Sequence, residues 1–421
     1  MNFKSSFLQE FFLRGFLAQS TNPEKLDETL INQSISAYIG FDCTAKSLHI
    51  GSLVQIMILR LLQKHNHIPI ILLGGGTTKI GDPSGKDESR QILNSNQIEN
   101  NLVGIKKTLE KFLNINNKNL LILNNDQWLK NLNYIDFLRD IGKHFSINRM
   151  LSFESVKLRL DRDQPLSFIE FNYMILQAYD FYHLFKNFNC RLQIGGSDQW
   201  GNIVNGIELI RRLNHQNDIN DHSMIESFGL TTPLLTTHDG KKMGKTADGA
   251  VWLDESMLSP FDYFQYFRNT HDADVIKFLK LFTDLSLEYI SNLEKLDGSE
   301  INKAKEILAF ETTKICHGEK VAIEVLNKAR EIFVQKNNNS FEEKIVKLRI
   351  NNIDKSHSIK LTDIIFEIGA TESKSDSKRL IDGKAIKINN EIVTNINLSF
   401  QNPQSFDLSI GKKKFYKIII T

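Results

Sequence analysis

Residues 36–62 have the sequence SAYIGFDCTAKSLHIGSLVQIMILRLL, which begins with a short extended run and ends with apolar residues at helical spacing. The pattern predicts a strand from Ser36 to Asp42, a turn, and a helix that starts near His49 and Gly51. Unpaired backbone N–H groups and the positive end of the helix dipole make such a helix start favourable for phosphate. Gly51 has no Cβ, so a nucleotide can approach the backbone closely at this point.

A second motif, Lys242-Met243-Gly244-Lys245-Thr246, follows much later in the chain. Its two lysines lie among several glycines, a composition that favours a pliable loop able to close on a polyphosphate. It is not the Gly-x-x-x-x-Gly-Lys-Ser/Thr phosphate loop. Either motif alone is weak evidence, because His-x-Gly triplets arise by chance and Lys-rich loops are usually solvated surface. Together they predict the two halves of an ATP-activating site.

Up to about residue 230, short apolar runs alternate with amphipathic helical stretches. The runs at 68–73 and 119–123 are typical of buried parallel strands, and both end in turn residues. This alternation predicts an α/β fold with a doubly wound parallel sheet, whose ligands lie at the carboxyl ends of the strands. A mostly helical stretch at 136–168 interrupts it, and residues 256–337 have a purely helical pattern.

Composition sets broad limits on the protein. With 421 residues and 41% hydrophobic content, the chain is long enough for two or three globular units. The three cysteines are far apart, are odd in number and contain no Cys-x-x-Cys pair, which favours free thiols in a reducing compartment over structural zinc or disulfides. Residues 1–18 are interrupted by Glu10 and Arg14 and therefore resemble neither a secretion signal nor a membrane span. We expect a cytoplasmic protein that does not associate with a membrane.

Basic charge is concentrated at the carboxyl end of a chain whose net charge is only +2. Residues 355–421 contain eleven Lys and Arg against seven Asp and Glu. Their pattern predicts helices at 361–369 and from about 377, and a strand at 383–389. The polar residues 337–340 and the charged stretch 342–358 are typical of a linker and a flexible joint.

Five motifs in a fixed order carry a family resemblance: residues 38–53, 81–85, 173–180, 193–202 and 242–246. Over essentially its full length the chain resembles bacterial-type tyrosyl-tRNA synthetase, a class I aminoacyl-tRNA synthetase. The resemblance implies a Rossmann-like catalytic domain at 1–230 with a helical dimer-interface insertion at about 136–168. It also implies the lysine loop and a helical anticodon-arm domain at 231–336, a linker at 337–354 and a small α+β RNA-binding domain at 355–421.

The implied activity is a tyrosine–tRNA ligase, which activates L-tyrosine with ATP, releases pyrophosphate and transfers tyrosine to the 3′ end of tRNA(Tyr). The activation of tyrosine by ATP needs positioning and charge neutralisation, and it needs no enzymatic nucleophile. The catalytic residues implied are His49, Thr44, Ser52, Lys242, Lys245 and Thr246. Those implied for ATP are Gly40, Asp42, His49, Gly51, Gly196, Asp198 and Lys245. We expect magnesium to arrive on ATP and no structural metal, because no carboxylates are spaced for an all-protein cage.

Tyrosine selection is expected on facing elements. Tyr173, Gln177 and Asp180 have the spacing of one helix face, so all three can point into one pocket. By resemblance, Asp180 and Tyr38 bind the phenol of the substrate, whereas Asp82, Tyr173 and Gln177 hold its ammonium group. The residues implied for tyrosine are Tyr38, Asp82, Tyr173, Gln177, Asp180 and Gln199, of which Gln199 orients the carboxylate.

The last segment is similar to a ribosomal S-four-like RNA-binding domain, in which cations on a helix and an adjacent strand follow a phosphate backbone. The residues implied are Lys378, Arg379, Lys384 and Lys387. The partners implied are tRNA(Tyr) and a second copy of the chain, since the resemblance predicts a homodimer.

One departure from the family pattern concerns Ser52, which stands where the family usually has His or Asn and reaches less far toward a nucleotide. Three alternatives remain open: a nucleotidyltransferase with a His-x-Gly-His motif, a tryptophanyl synthetase, and a non-catalytic RNA-binding protein descended from a synthetase. Amino-acid-dependent pyrophosphate exchange separates them.

Overall fold

The computed structural model describes residues 2–83, 93–114, 119–217, 226–240, 243–246, 249–337, 342–346, 358–389, 391–401, 404–411 and 414–420. The helices are α1 (Ser6–Leu13), α2 (Pro23–Asn32), α3 (Leu53–Lys64), α4 (Ser95–Phe112), α5 (Asp126–Leu129), α6 (Tyr134–Asp140), α7 (Ile147–Leu151), α8 (Glu154–Asp161), α9 (Phe168–Phe188), α10 (Trp200–Asn217), α11 (Pro260–Arg268), α12 (Asp272–Phe282), α13 (Leu287–Leu293), α14 (Ile301–His317), α15 (Glu319–Asn337), α16 (Leu361–Glu367) and α17 (Lys374–Asp382).

The strands are β1 (Gln19–Ser20), β2 (Ser36–Asp42), β3 (Ile68–Gly74), β4 (Leu121–Asn124), β5 (Cys190–Gly196), β6 (Phe228–Thr232), β7 (Lys245–Thr246), β8 (Gly249–Ala250), β9 (Glu342–Val346), β10 (Ser358–Lys360), β11 (Ile386–Ile388), β12 (Glu391–Ile392), β13 (Ser399–Gln401), β14 (Gln404–Ile410) and β15 (Lys414–Ile420). The chain forms two compact units, Met1–Leu326 and Asn327–Thr421.

The first unit contains a six-stranded sheet in the order β1-β6-β5-β2-β3-β4. The five strands from β6 to β4 are parallel to one another, and β1 pairs antiparallel with β6 at one edge. From β2 the chain continues to β3 and β4 on one side and then crosses to β5 and β6 on the other. This order is doubly wound and puts its switch point between β2 and β5, where such sheets bind ligands. The predicted fold class is confirmed for this unit.

Buried side chains on both faces hold this sheet between helices. One apolar cluster joins β2, β3 and β5 to α9 and α10, and includes Tyr38, Ile70 and Phe181. A second cluster packs Met150 and Val156 of the predicted helical insertion against α9 and α10. The insertion is helical as predicted and comprises α6, α7 and α8. Helices α11 to α15 form the all-helical stretch that the sequence predicts after residue 256.

The second unit is a small α+β domain. Its five-stranded sheet has the order β12-β11-β14-β15-β9, and β10 pairs with β13. Helices α16 and α17 and the strands enclose an apolar core that includes Ile364, Ile381, Leu408 and Ile418. The predicted second helix begins earlier than residue 377, because the Ser373 side chain accepts the Asp376 N–H and caps α17.

Part of the predicted flexible joint is ordered. Residues Glu342–Val346 form β9, which pairs in parallel with β15 at the edge of the sheet. The expectation of a flexible joint is wrong for these five residues. The polar residues 338–340 and the rest of the predicted joint, residues 347–357, lie outside the described part of the chain.

Candidate active site

A cavity of about 340 Å³ lies at the carboxyl ends of β2 and β5, at the switch point of the sheet. Its size suits a small-molecule ligand. The predicted site residues that line it are Tyr38, Gly40, Asp42, Thr44, His49, Gly51, Ser52, Asp82, Tyr173, Gln177, Asp180, Gly196, Asp198 and Gln199. The two ends of the chain segment 38–199 therefore meet in one place.

His49 begins the helical segment that the sequence predicts. It precedes a single 3₁₀ turn, Ile50–Ser52, which leads directly into α3. The Gly51 N–H donates to His49 Nδ1 at 2.9 Å. Because Nδ1 accepts this bond, the proton of the neutral imidazole lies on Nε2, where it can be donated to a ligand. A Cβ at Gly51 would lie 2.5 Å from His49 Cε1, so this glycine leaves room for the imidazole ring.

The second motif lies against the first. The Ile50 N–H donates to the Val251 carbonyl at 2.8 Å, and the Leu253 N–H donates to the Leu48 carbonyl at 3.0 Å. Gly244 has φ +100°, and a Cβ there would approach Ile50 Cγ2 to 2.9 Å. Only a residue without a side chain fits both this backbone conformation and this contact.

The structure describes only part of the lysine motif. The backbones of Lys245 and Thr246 form β7, which pairs antiparallel with β8. Lys242 lies outside the described residues, as do Ser84 and Gly85 of the predicted 81–85 motif. Met243 is buried and lines the cavity. The described part of the motif is therefore adjacent to the helix start that carries His49.

The deep part of the cavity contains Tyr38 on β2 and Asp180 on α9, which are 1% and 2% exposed. The Tyr38 hydroxyl has no hydrogen-bond partner among the residues that the structure describes. Asp180 accepts hydrogen bonds from Asn125 Nδ2 at 2.9 Å and from Trp128 Nε1 at 2.7 Å. The pocket thus offers one oriented carboxylate and one unsatisfied hydroxyl to a ligand.

Burial also changes the protonation chemistry of this pair. It raises the pKa of Asp180 to about 7, although the hydrogen bonds from Asn125 and Trp128 lower that pKa and the negative charge of Asp42 raises it further. Burial and the charge of Asp180 raise the pKa of Tyr38 well above its ordinary value. The Tyr38 hydroxyl therefore stays protonated, and Asp180 exchanges its proton near neutral pH.

A second polar cluster lies closer to the strand ends. Gln177 Nε2 donates to Gln199 Oε1 at 3.1 Å, and Gln199 Nε2 donates to Asp82 Oδ2 at 2.8 Å. Asn202 Nδ2 donates to Gln177 Oε1 at 2.8 Å. These side chains form one network, so their orientations are interdependent.

Tyr173 on α9 is hydrogen-bonded to Asp42 at the end of β2. Its hydroxyl donates to Asp42 Oδ2 at 3.1 Å, and Thr77 Oγ1 donates to Asp42 Oδ1 at 3.0 Å. Burial, followed by the charges of Asp42 and Asp82, raises the pKa of Tyr173 well above its ordinary value. The hydroxyl therefore remains a hydrogen-bond donor beside two carboxylates.

Comparison with known proteins shows the family to which the chain belongs. The family model for class I tRNA synthetases (W and Y) matches residues 30–334. The chain belongs to this family. It is 52% identical over 429 residues to the tyrosine–tRNA ligase of Wolbachia pipientis subsp. Culex pipiens, with 100% of this chain and 99% of that protein covered. It is 51% identical over 427 residues to the tyrosine–tRNA ligase of Ehrlichia chaffeensis, with the same coverage.

A solved structure agrees with these relatives. A C-terminally truncated mitochondrial tyrosyl-tRNA synthetase from Aspergillus nidulans matches with a TM-score of 0.70 and 31% identity, covering 78% of this chain and 95% of that chain. The resemblance to bacterial-type tyrosyl-tRNA synthetases is confirmed. So is the fold class, a class I synthetase sheet accompanied by a helical region and a small carboxyl-terminal domain.

Sequence reasoning missed several residues of this synthetase site. Asn125 and Trp128 orient Asp180, Thr77 holds Asp42, and Asn202 joins the glutamine network. Asn125 follows directly after β4, so its position at the carboxyl end of a parallel strand was the one available signal. Nothing in its spacing connects Trp128 to Asp180, which lies 52 residues further along the chain.

The predicted RNA-binding residues lie elsewhere, in the second unit. Lys378 and Arg379 are exposed on α17, and Lys384 and Lys387 are exposed just before and within β11. The described residues contain no group of three or more His, Cys, Asp or Glu arranged to hold a metal ion. None of their helices has the length and apolar character that crossing a membrane requires.

Proposed function

We propose that this synthetase is a tyrosine–tRNA ligase. The single observation that carries the proposal is the pair formed by the buried, unpartnered Tyr38 hydroxyl and the oriented Asp180 carboxyl group. A phenol can donate to Asp180 and accept from Tyr38, so tyrosine satisfies both groups. Phenylalanine leaves both buried groups without a ligand partner, which is energetically costly.

The rest of the amino acid is held by the polar cluster near the strand ends. Asp82 provides the negative charge for the ammonium group, and Tyr173 and Gln177 contribute hydrogen bonds to it. Gln199, which now bonds to Gln177 and Asp82, orients the carboxylate. These side chains already interact with one another, so they are ordered before tyrosine binds, which lowers the entropic cost of binding.

Activation joins this carboxylate to ATP. One carboxylate oxygen attacks the α-phosphorus, the bond from that phosphorus to the bridging oxygen of the β-phosphate breaks, and pyrophosphate leaves with the electron pair. No side chain forms a covalent bond, so catalysis consists of alignment and charge stabilisation. His49 Nε2–H and the hydroxyls of Thr44 and Ser52 donate to phosphate oxygens.

The remaining contacts to ATP come from strand ends and from the lysine motif. Gly40 and Gly196 allow close approach at the ends of β2 and β5, and Asp198 binds the ribose. Asp42 and Gly51 complete the ATP site. Lys242 and Lys245 neutralise the departing pyrophosphate, Thr246 donates a further hydrogen bond to it, and magnesium enters with ATP as Mg-ATP.

The active enzyme is a homodimer. Between residues 134 and 169, large apolar side chains are exposed in an unusual concentration: Tyr134, Ile135, Leu138, Ile147, Leu151, Leu158, Leu160, Phe168 and Ile169. Exposed apolar surface of this density is typical of an interface. A second copy of the chain is the partner, and the insertion at about 136–168 contains most of the contact surface.

Transfer of tyrosine requires binding of tRNA(Tyr). The exposed cations Lys378 and Arg379 on α17, Lys384 in the turn before β11 and Lys387 in β11 interact with the phosphate backbone. The helical region at 231–336 contacts the anticodon arm. Because its tRNA substrate is in the cytoplasm, we place the enzyme there.

Pyrophosphate exchange tests the proposal. Purified protein is incubated with ATP and labelled pyrophosphate in the presence of tyrosine, tryptophan or phenylalanine, and label incorporation into ATP is measured. Exchange with tyrosine alone supports the proposal. Exchange with tryptophan alone would identify a tryptophanyl enzyme, and the absence of exchange with every amino acid would favour a non-catalytic RNA-binding protein.

A further inference from the structure

The loop between β6 and β7 leads from the cavity to the lysine motif, and α12 lies beside its described part. Lys277 Nζ on α12 donates to the Thr236 carbonyl at 2.7 Å. The His238 N–H donates at 2.8 Å to Oδ2 of Asp274, a buried carboxylate in the first turn of α12. Two loop residues are therefore tied to one helix through backbone groups.

A pair of stacked histidines adds a contact between the same two elements. The His238 and His271 rings are 3.6 Å apart between centroids, with an interplanar angle of 12°. His271 is the N-cap residue of α12, and its Nδ1 accepts the Ala273 N–H at 3.3 Å. This bond fixes the His271 ring, so the His238 ring stacks on a surface that the helix start holds in place.

The same loop also contacts the cavity and the helix start that carries His49. The Met243 N–H donates to the Leu235 carbonyl at 2.9 Å, which joins the two arms of the loop. Leu235 and Met243 both line the cavity, and Gly244 packs on the helix start that carries His49. The loop segment that carries His238 is therefore connected, through Leu235 and Met243, to Gly244 and to the helix start that carries His49.

We infer that His238 and His271 form an aromatic clamp that positions the lysine-motif loop for adenylate formation. The inference rests on the proposed function, because the loop has a catalytic role only if the enzyme activates an amino acid with ATP. The two histidines are positioning residues, since they act on ATP through the loop. Tyrosine binding is independent of the clamp, because the Tyr38 and Asp180 pocket is formed by β2 and α9.

The test compares His238→Ala, His271→Ala and the double variant with wild type in tyrosine-dependent pyrophosphate exchange. Each single variant is expected to lower kcat about threefold to tenfold, the rate equivalent of one lost aromatic contact, with an unchanged KM for tyrosine. The double variant is expected to lose less than the sum of the two single losses, because the ring stack is lost in both single variants, whereas the cap of α12 is lost only with His271. His238→Phe keeps a stacked ring and is expected to restore most of the rate.

Tyr289→Ala is the matched control, since it removes an exposed aromatic ring from α13, outside the loop and α12. Hydrogen exchange of the peptide that covers residues 233–240 provides a readout that does not depend on activity, and it is expected to be faster in His238→Ala. Wild-type kcat and exchange in both alanine variants would overturn the clamp, as would additive losses in the double variant. Absence of tyrosine-dependent exchange in wild type would instead reject the proposed function, and hydrogen exchange would still decide whether the stack holds the loop.

Discussion

At the scale of single residues, the site contains a buried hydroxyl that costs stability until a ligand binds. The Tyr38 hydroxyl is enclosed by protein and has no hydrogen-bond partner among the described residues. Leaving a buried donor unpaired costs about 1–3 kcal/mol. The Tyr38 hydroxyl therefore raises the affinity for a phenol and lowers the stability of the ligand-free protein.

Tyr38→Phe separates the two effects. The free energy of unfolding of the ligand-free protein is expected to rise by about 1 kcal/mol, because an unpaired buried hydroxyl is removed. The kcat/KM for tyrosine is expected to fall about tenfold, since one hydrogen bond to the substrate is lost. Urea denaturation and pyrophosphate exchange measure the two quantities. A variant that is both less stable and equally active would contradict this account of Tyr38.

Asp180 gives a prediction about pH. Burial raises its pKa to about 7 in the folded protein, whereas an unfolded chain has an ordinary Asp pKa near 3.9. Between these values the folded state binds a proton that the unfolded state has lost, so the contribution of Asp180 to stability falls as pH rises from about 4 to 7. Above about pH 7 the contribution no longer changes.

Asp180→Asn removes this titration. From pH 5 to pH 8 the free energy of unfolding of wild type is expected to fall by about 3 kcal/mol relative to the variant. Urea denaturation at both pH values gives the difference. The same variant is expected to lose tyrosine-dependent exchange, because the carboxylate that accepts the phenol is gone. Parallel pH dependence in the two proteins would show that Asp180 does not titrate in this range.

The sequence predicts some residues of the pocket and not others, and the difference has a physical reason. Tyr38, Tyr173, Gln177 and Asp180 belong to regular elements, and their spacing or motif is enough to expect them in one pocket. Asn125 and Trp128 act through the orientation of one side chain, Asp180, and orientation depends on how α5 packs beside α9. A local sequence pattern does not show how two helices pack, so these two hydrogen-bond donors are visible only in the structure.

At the scale of elements, the start of α3 is joined to residues 251–253, which directly follow the strand pair β7–β8. The backbone hydrogen bonds between residues 48–50 and 251–253 hold the two motifs together without using side chains. This arrangement makes Gly51 and Gly244 sensitive to substitution, because the imidazole of His49 and the side chain of Ile50 occupy the space that a Cβ needs.

Gly51→Ala tests this junction. A Cβ at this position would lie 2.5 Å from His49 Cε1, so the imidazole has to move. The expected result is a fall in kcat of about a hundredfold, the usual effect of misplacing a catalytic group by about 1 Å, with an unchanged KM for tyrosine. Exchange kinetics at saturating ATP measure it.

Gly40→Ala is the informative comparison for this variant, since a Cβ there meets no described protein atom within 4 Å. Wild-type stability combined with a raised KM for ATP would show that the nucleotide approaches β2 at Gly40. If Gly51→Ala kept full activity, the role assigned to the His49 position would be wrong.

The sequence predicts an element well when the pattern lies within that element. It does not predict an element that is stabilised by pairing with a distant part of the chain. The strand β3 and the helix start at residue 50 follow from apolar periodicity and turn residues within their own segments. By contrast, the charged composition of Glu342–Val346 predicts a flexible joint, yet these residues form β9 because they pair with β15. Pairing with a strand some seventy residues away in the chain is not visible in local composition.

At the scale of the whole molecule, the exposed apolar surface of residues 134–169 predicts self-association. Ile135, Ile147 and Phe168 are 67%, 64% and 68% exposed. Replacing all three with Asp is expected to weaken dimerisation about a thousandfold or more, because burying unpaired charges in an interface costs several kcal/mol. Sedimentation velocity should then give a species of the 48.4 kDa chain mass.

Val103→Asp serves as the control for this triple variant, since Val103 is equally exposed but lies on α4, outside the 134–169 stretch. It is expected to leave the sedimentation of wild type unchanged. A triple variant that still sediments as a dimer would locate the interface elsewhere.

The two compact units have separate apolar cores, which predicts that one can form the adenylate while the other binds tRNA. The cavity proposed to form the adenylate is lined by residues of the first unit, and the exposed cations Lys378, Arg379, Lys384 and Lys387 lie in the second. A truncation after Asn337 is therefore expected to keep the rate of tyrosine-dependent pyrophosphate exchange within about twofold of wild type.

Aminoacylation of tRNA(Tyr) by the truncated protein is expected to show a KM for tRNA raised about a hundredfold, since several phosphate contacts are lost and each contributes to binding. The loss should become smaller as salt increases, because the missing contacts are electrostatic and wild-type binding also weakens in salt. A full-length variant with the four cations changed to Gln separates charge from chain length and is expected to show most of the same defect. Equal losses of exchange and aminoacylation on truncation would mean that the second unit supports the adenylate site itself.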